Sequence, residues 1–549
     1  MSFPYSPAKT ILLAAILTLN VTCQSPQISD SRPSPLPQQN DLQVYFNHNL
    51  AKGAEYQEPY RNIRRNGDNL EQIIIDRINS AKTSIDIAVQ EFNLPQVALA
   101  LAERHKAGIK IRVIVEHNYR RPLSTLTVTE VAKLDDRTRS KYEQFFKFVD
   151  RNFDGKLSLT EINERDAIVI LQNAGIPIID DTENKSKGSG LMHHKFMVVD
   201  GKIVITGSAN WTTSDVHGDI DNLATRGNTN NLLAIDSSEL ARIFTEEFNL
   251  MWGDGMGGKA DSKFGLNKPA REPQTIQIGS STITVNFSPI SEKSTGSYSS
   301  NNLIVQALDR AQKKIDLALF VFSDRNIASE LESQHQQQVD IRALIDREFA
   351  FRDYSKALDM LGVSISNNCR YHPDSNPWQN AIQNVGTASL PLGDKLHHKF
   401  AIIDNKTIIT GSHNWSDAAD RLNDEVLLII DSPQLAAHYD REFNNLFDRA
   451  TLGIPDRIQK TIAADLKQCA TTANNTVAIN NKTPNNNVTV NLNTATQAEL
   501  ESLPGIGKKT ALNIIKVRQE KPFQSLEDLD RVSGIGEKTL QQLQGKVTW

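Results

Sequence analysis

His193-His194-Lys195-Phe196-Met197-Val198-Val199-Asp200, followed by Gly207-Ser208-Ala209-Asn210, recurs later in the chain. The second copy is His397-His398-Lys399-Phe400-Ala401-Ile402-Ile403-Asp404, followed by Gly411-Ser412-His413-Asn414. Both read H-x-K-x4-D-x6-G-S-x-N with the same spacing. Each is an apolar run, a turn (Asp200-Gly201-Lys202 or Asp404-Asn405-Lys406) and a second apolar run, the pattern of a β-hairpin. Side chains at i and i+2 share one face of a strand. His193 is therefore expected to project with Lys195, and His397 with Lys399. Ser208 with Asn210, and Ser412 with Asn414, share a face at the end of the returning strand. His194 and His398 point the other way and read as packing residues.

The duplication reaches beyond the motif. Ser84-Ile85-Asp86-Ile87-Ala88 matches Lys314-Ile315-Asp316-Leu317-Ala318, each after an amphipathic helical stretch. Ile109-Lys110-Ile111-Arg112-Val113-Ile114-Val115 matches Val339-Asp340-Ile341-Arg342-Ala343-Leu344-Ile345. Leu232-Leu233-Ala234-Ile235-Asp236, with a helix to Trp252, matches Leu427-Leu428-Ile429-Ile430-Asp431, with a helix to Phe447. Strands and helices alternate and the strands are almost wholly apolar, which predicts an α/β fold with covered sheets.

With both copies intact, residues 44–450 resemble the two-copy, single-chain members of the phospholipase D superfamily. The resemblance implies two tandem α-β-α sandwich halves, 41–255 and 276–450, joined by a linker over 256–275. It also implies one phosphodiester-cleaving site, complete within one chain. Such cleavage needs a nucleophile for phosphorus, an acid for the leaving oxygen and positive charge around the remaining oxygens. Two imidazoles and two lysines supply all three without a metal once the copies face each other. By the resemblance, His193 is the nucleophile that forms a phosphohistidine and His397 is the acid. Lys195, Lys399, Ser208, Asn210, Ser412 and Asn414 are assigned to the substrate phosphate. Asp200 and Asp404 complete the catalytic motifs by closing the strands. Many relatives place a carboxylate after each motif. Glu425 fits that position in the second half, but Asn230 stands there in the first, so the copies are predicted to be electrostatically unequal.

Measured from Phe46 to His193 and from Phe287 to His397, the first half is longer by about 37 residues. Within the excess, an insertion at about 135–170, lies Asp150-Arg151-Asn152-Phe153-Asp154-Gly155-Lys156-Leu157-Ser158-Leu159-Thr160-Glu161. This fits the twelve-residue EF-hand loop. Asp150, Asn152, Asp154 and Glu161 supply side-chain oxygens and Lys156 its carbonyl, while Gly155 allows the sharp turn. Segments 140–149 and 160–171 are predicted to be the flanking helices. Calcium is the expected ion, structural or regulatory, and a lone hand is expected to bind it weakly.

Lys9 precedes an apolar run over residues 11–19, too short to span a bilayer but suited to a signal-peptide core. Cys23 follows closely, as at a bacterial lipoprotein cleavage site, although Asn20 stands where an aliphatic residue is usual. Residues 1–23 are thus read as an export signal, with membrane anchoring by lipid on Cys23, and Pro-rich 24–40 as a tether. The expected location is periplasm, cell envelope or outside the cell. A net charge of −5 over 549 residues argues against a broadly basic nucleic-acid binder, so any positive field is local.

After a predicted helix over 454–469 and an Asn-rich linker to 487, the character changes. Leu503-Pro504-Gly505-Ile506-Gly507-Lys508-Lys509 and Val532-Ser533-Gly534-Ile535-Gly536-Glu537-Lys538 form a spaced pair. Residues 488–549 resemble the tandem helix-hairpin-helix domain of bacterial competence DNA receptors, a small all-α module. Gly505, Gly507, Gly534 and Gly536 let backbone amides approach a DNA phosphate at a helix N-terminus, and Lys508 and Lys509 add charge. Glu537 stands where the first hairpin has Lys508, so the second hairpin is expected to bind less well.

Two functions compete. One is an exported nuclease whose tail holds DNA, and the other a phospholipase D acting on phospholipid head groups. A third, an inert DNA receptor, is disfavoured by the intact motifs.

Overall fold

The motif hairpins form as their turns dictate. In the computed structural model, Lys195–Val199 pairs with Ile203–Gly207 and Lys399–Ile403 with Thr407–Gly411. Their turn residues Asp200, Gly201, Asp404 and Asn405 have φ of 53°, 60°, 51° and 54°. Two consecutive left-handed residues match the twist of a tight hairpin, and Asp, Asn and Gly tolerate that conformation best. The structure describes Met1, residues 31–186, 190–254, 260–290 and 298–477, and most of 490–549.

Each hairpin sits inside a mixed sheet. The first sheet has seven strands, in the order Leu42–Phe46, Asn231–Asp236, Ile203–Gly207, Lys195–Val199, Ser84–Val89, Lys110–Val115 and Ile178–Asp180. The second has nine and repeats the plan around Lys399–Ile403 and Thr407–Gly411. The matched strands pair in parallel in both halves, Ser84–Val89 with Lys110–Val115 and Lys314–Leu319 with Asp340–Ile345. Helices Leu70–Ser80 and Pro95–Lys106 cover one face of the first sheet, and Ser300–Leu308 and Arg325–Gln336 one face of the second. The opposite faces share a single core, to which Ser238–Trp252 gives Phe244 and Phe248, and Pro433–Phe447 gives Tyr439 and Phe443. One half-buried device recurs in both halves. Arg112 Nε donates to Asp86 at 2.7 Å and lies over the Phe248 ring, as Arg342 Nε does with Asp316 at 2.7 Å and Phe443.

Several predicted boundaries change. The insertion folds as Asp136–Val149 and Leu159–Arg165, and the helix predicted over 160–171 breaks at Asp166. That residue leaves the helical region (φ −86°, ψ 103°), and its carboxylate caps a new helix, Ala167–Asn173. The predicted linker 256–275 is a strap. Residues 255–259 lie outside the described residues, but Phe264 is buried and the Lys268 ammonium lies 2.5 Å from Glu247 and 2.7 Å from Asp424, one carboxylate from each half. The Pro-rich tether is also held where it is described. The Pro37 carbonyl accepts from Gln434 at 2.9 Å, and Gln39 donates to Ser432 at 2.9 Å. The export signal and Cys23 lie outside the described residues. No helix of the described residues is long and apolar enough to cross a membrane.

The helix after the second half runs over Asp456–Val477, longer than the predicted 454–469. Residues 467–549 form a separate compact unit. It has its own core, including Leu492, Leu500, Ile514, Phe523, Leu529 and Leu543. Its helices include Gln497–Glu501 and Lys508–Glu520, and the all-α expectation is modified by a short parallel pair, Val490–Asn491 with Val547–Thr548.

Candidate active site

The two motifs meet because each half lends backbone to the other. His193 N–H donates to the Asp424 carbonyl at 3.0 Å, and Thr229 N–H to that of Lys395 at 2.8 Å. The histidines are then oriented crosswise. His193 Nδ1 lies 2.7 Å from Glu425 of the second half, and His397 Nδ1 lies 3.0 Å from Asn230 Oδ1 of the first. With Nδ1–H directed at an acceptor, Nε2 of each ring is left for substrate. Each lysine ammonium turns back to its own histidine's carbonyl, Lys195 at 2.9 Å and Lys399 at 2.6 Å. Lys195 also reaches Gln90 Oε1 at 3.4 Å, whereas Lys399 lies over the Phe320 ring, which also packs edge-on to His397.

All four basic groups are buried, with at most 8% of any exposed. Burial, then Lys195 and Lys399, holds the His193 imidazole well below its ordinary pKa; burial, then Lys399 and Lys195, does the same for His397. Burial lowers Lys195 to about 8, and burial with the nearby Lys195 charge lowers Lys399 well below its usual range. Such a site favours an incoming anion, because every basic group gains by its arrival.

The structure divides the predicted site residues. His193, Lys195, His397 and Lys399 come together. Asn210 and Asn414 each keep a buried side-chain oxygen that has no partner among the described residues. Ser208 and Ser412 do not fit the substrate-binding assignment. Both are fully buried and already engaged twice: Ser208 donates to Asn230 and accepts from Asn231 N–H, and Ser412 donates to Glu425 and accepts from Val426 N–H. They orient the partners of the histidines. Asp200 and Asp404 do not fit a catalytic place, since they stand at the opposite ends of the strands from the lysines. Asp200 caps the amides of Lys82, Thr83 and Ser84, and Asp404 those of Gln312, Lys313 and Lys314. His194 and His398 pack on the shared core, bonded to Glu247 at 2.9 Å and Glu442 at 3.2 Å.

Asp215 was not singled out from the sequence. It is buried on the short helix Thr213–Val216, with Oδ1 3.8 Å from His397 Nδ1. Gln90 and Phe320 were also missed. They occupy equivalent positions after matched strands, so the repeat alignment carried the only signal.

In the insertion, Asp150 accepts from the amides of Asp154 and Gly155, Asn152 from that of Asp154, and Asp154 from that of Lys156. Glu161 is turned into the same loop, where Arg151 N–H and Ser158 donate to it. These are hard oxygen donors gathered on one loop, the class that calcium takes. A second cluster, Glu116, His117 and Asp181, brings its donor atoms within 4.8 Å of one another. In the C-terminal unit, exposed Gly507 caps Lys508–Glu520 without a side-chain bond, and a Cβ there would meet nothing within 4 Å. The same open space surrounds Gly536. Lys508 and Lys509 open the helix, while Gly505 and Gly534 lie outside the described residues.

A family model described as "Cardiolipin synthase, PLD-like domain" matches residues 74–252 and 304–447. The chain belongs to this family. A helix-hairpin-helix motif model matches residues 485–548. Mitochondrial cardiolipin hydrolase of Mus musculus is 27% identical over 173 residues, 32% of this chain and 53% of that protein. A phospholipase D of Rickettsia prowazekii is 28% identical over 179 residues, 31% of this chain and 76% of that protein. The chain thus spans about half the length of the cardiolipin hydrolase relatives. Among solved structures, phosphatidylserine synthase of Haemophilus influenzae Rd KW20 aligns over 82% of this chain and 97% of its own, with 13% identity and a TM-score of 0.46. Nuc of Salmonella typhimurium aligns over 32% and 99%, with 21% identity and a TM-score of 0.25.

The glycine that opens each G-S-x-N segment has a steric reason. Gly207 and Gly411 have φ of +155° and +132°, and a Cβ on either would lie 2.2 Å from a backbone carbonyl, of Asn231 or Val426. Gly411→Ala should therefore displace Ser412 and Glu425 and cost about 2 kcal/mol or more, read as a lowered urea midpoint.

Proposed function

We propose that this chain is an exported phosphodiesterase that cleaves nucleic acid through a phosphohistidine intermediate. The observation that supports the chemistry best is the convergence of two imidazoles and two lysines, with each Nδ1 tied to the other half. In this reading His193 Nε2 attacks phosphorus and His397 Nε2–H protonates the leaving oxygen. Neutral His397 then takes a proton from water, whose oxygen displaces His193 and releases a phosphate monoester. Lys195, Lys399, Asn210 and Asn414 hold the non-bridging oxygens. The unequal partners support this order of roles. A carboxylate bonded directly to His193 stabilises the positive ring that phosphorylation creates, while the direct partner of His397 is a neutral amide.

Nucleic acid is favoured over lipid by the helix-hairpin-helix match and by the open N-terminus at Gly507. Phospholipid head groups are the second reading, favoured by relatives called phospholipase D and cardiolipin hydrolase. Export is supported by the apolar run over 11–19, and Cys369 and Cys469 are each disulfide-bonded, a state kept in oxidising compartments. Lipid on Cys23 would anchor the chain to a membrane. Calcium held by Asp150, Asn152, Asp154, the Lys156 carbonyl and Glu161 would stiffen the insertion, with no part in phosphoryl transfer.

Single His193→Ala and His397→Ala variants should each lower turnover of a chromogenic diester by roughly 10³-fold or more without unfolding. Wild-type rate in either would remove the two-histidine scheme. The pH profile carries a sign. His397 must be protonated to act, and in the free site burial and the lysines depress its pKa, so kcat/KM should fall on the alkaline side below about pH 6.5. A bound diester anion favours the imidazolium, so the matching limb of kcat should lie at higher pH. Coincident limbs would contradict this.

Purified protein offered plasmid DNA and phosphatidylcholine vesicles side by side decides the substrate class. Deleting 488–549 should weaken DNA binding and flatten its salt dependence while sparing small-diester hydrolysis; unchanged DNA affinity would favour the lipid reading. Calcium at ten to a hundred times Kd should add roughly 1–3 kcal/mol of stability. A chelator should remove that gain, as should Glu161→Ala, with small-diester hydrolysis preserved. Calcium-reversible loss of all hydrolysis would place the ion in the mechanism.

A further inference from the structure

We infer that Asp215 is the positioning carboxylate of His397, standing at a different chain position from the one that the other half uses. The inference rests on the two-histidine reading and adds what makes the acid an acid. Aligned on their G-S-x-N segments, residues 207–215 match 411–419, with Trp211 opposite Trp415 and the helix caps Thr212 and Ser416 opposite each other. Asp215 then stands opposite Ala419, which is fully buried, just as Asn230 stands opposite Glu425. Two positions have exchanged their content. One half carries a carboxylate at the later position and an apolar residue at the earlier, and the other half carries the carboxylate early and an amide late.

The geometry supports a shared task. Asp215 Oδ1 lies 3.8 Å from His397 Nδ1 and accepts from Asn228 Nδ2 at 2.5 Å, while Oδ2 accepts from Asn210 N–H at 3.0 Å. Its own carbonyl accepts from Asn230 Nδ2 at 3.0 Å, and the Asn228 carbonyl takes the same amide at 3.1 Å. That pair of bonds fixes the amide, so Asn230 Oδ1 faces His397 and Ser208. Asp215 therefore orients the direct partner of His397 through its backbone and faces the imidazolium with its charge. It also ties His397 to Asn210, one of the two asparagines assigned to the phosphate. The charged and titratable groups that lower His397 are Lys399 and His398 beside it in sequence and Lys195 and His193 from the first motif; Asp215 also raises His193, and Asp215, Glu425 and Asp346 raise Lys399. Lys195 and Lys399 disfavour a protonated His397, and the carboxylate 3.8 Å from its Nδ1 stands where a negative charge would offset them.

The test is the alkaline limb of kcat against pH, measured on the full chain with a small diester. Asp215→Asn removes the charge and should move the limb down by roughly one pH unit or more. At the optimum it should lower kcat about tenfold, with KM unchanged or smaller. Asp215→Glu keeps the charge and should hold the limb close to wild type. Asp215→Ala combined with Asn230→Glu reproduces the arrangement of the other half, Ala419 with Glu425, and should return the limb, which covers the case in which Asp215→Asn does not fold. A limb unmoved in folded Asp215→Asn, or equally displaced in Asp215→Glu, overturns the inference, as does a folded but inactive double variant. His397→Ala separates the levels: if it retains activity, the two-histidine reading fails, whereas an inactive His397→Ala beside an unmoved Asp215→Asn limb removes Asp215 alone.

Discussion

The site depends on a crossed pair of hydrogen bonds, His193 to Glu425 and His397 to Asn230. Each ring takes its orientation from the half that does not contain it, so neither half holds a complete site. The exchange is enforced by backbone, since the strand entering each motif bonds to the segment entering the last strand of the other half. It is also enforced by packing. Phe46, Phe196, Phe244, Phe400, Tyr439 and Phe443 belong to one apolar core contributed by both halves. Sliding the halves apart would expose that core and leave the His193 and His397 rings without their partners, so site and interface stand together.

Holding four basic groups in such a place is costly, because burial disfavours each charge and each charge disfavours the others. Glu425 and Asp215 offset part of this, and both raise the affinity of Lys195 and Lys399 for protons. What remains uncompensated is a preference for an anion. The donors are fixed before any substrate arrives, so little reorganisation accompanies its entry. Lys268 performs a related task away from the site. It joins Glu247 to Asp424, and so links the helix beneath His194 to the segment that carries Glu425.

The hairpins were legible because three local signals agree: apolar runs of strand length, a turn of Asp, Gly and Asn, and alternation that sends neighbouring histidines to opposite faces. The inequality of the copies was legible too, since Asn230 and Glu425 occupy one position of the repeat. Whatever depended on a distant partner was not legible. A serine at a strand end looks the same whether it meets substrate or, like Ser208, a buried amide. The 256–275 segment is rich in charge and glycine and reads as a tether until Lys268 and Arg271 find Glu247. Asp166 looks like one more helical residue until its carboxylate is seen to cap the next helix.

Comparison of the halves separates scaffold from chemistry. The Asp86–Arg112 pair is repeated by Asp316–Arg342, the His194–Glu247 bond by His398–Glu442, and the capping role of Asp200 by Asp404. These devices hold strands and helices in place, a task that is the same in both copies. The differences gather around the histidines: Gln90 against Phe320, Asp215 against Ala419, Asn230 against Glu425. A nucleophile must be neutral to attack and an acid must be protonated to donate, so one pKa cannot serve both roles. Two identical chains meeting at a two-fold axis would have to give both histidines one environment. A single chain with two copies is free of that constraint, and here the side chains facing the two rings differ while the frame that carries them does not.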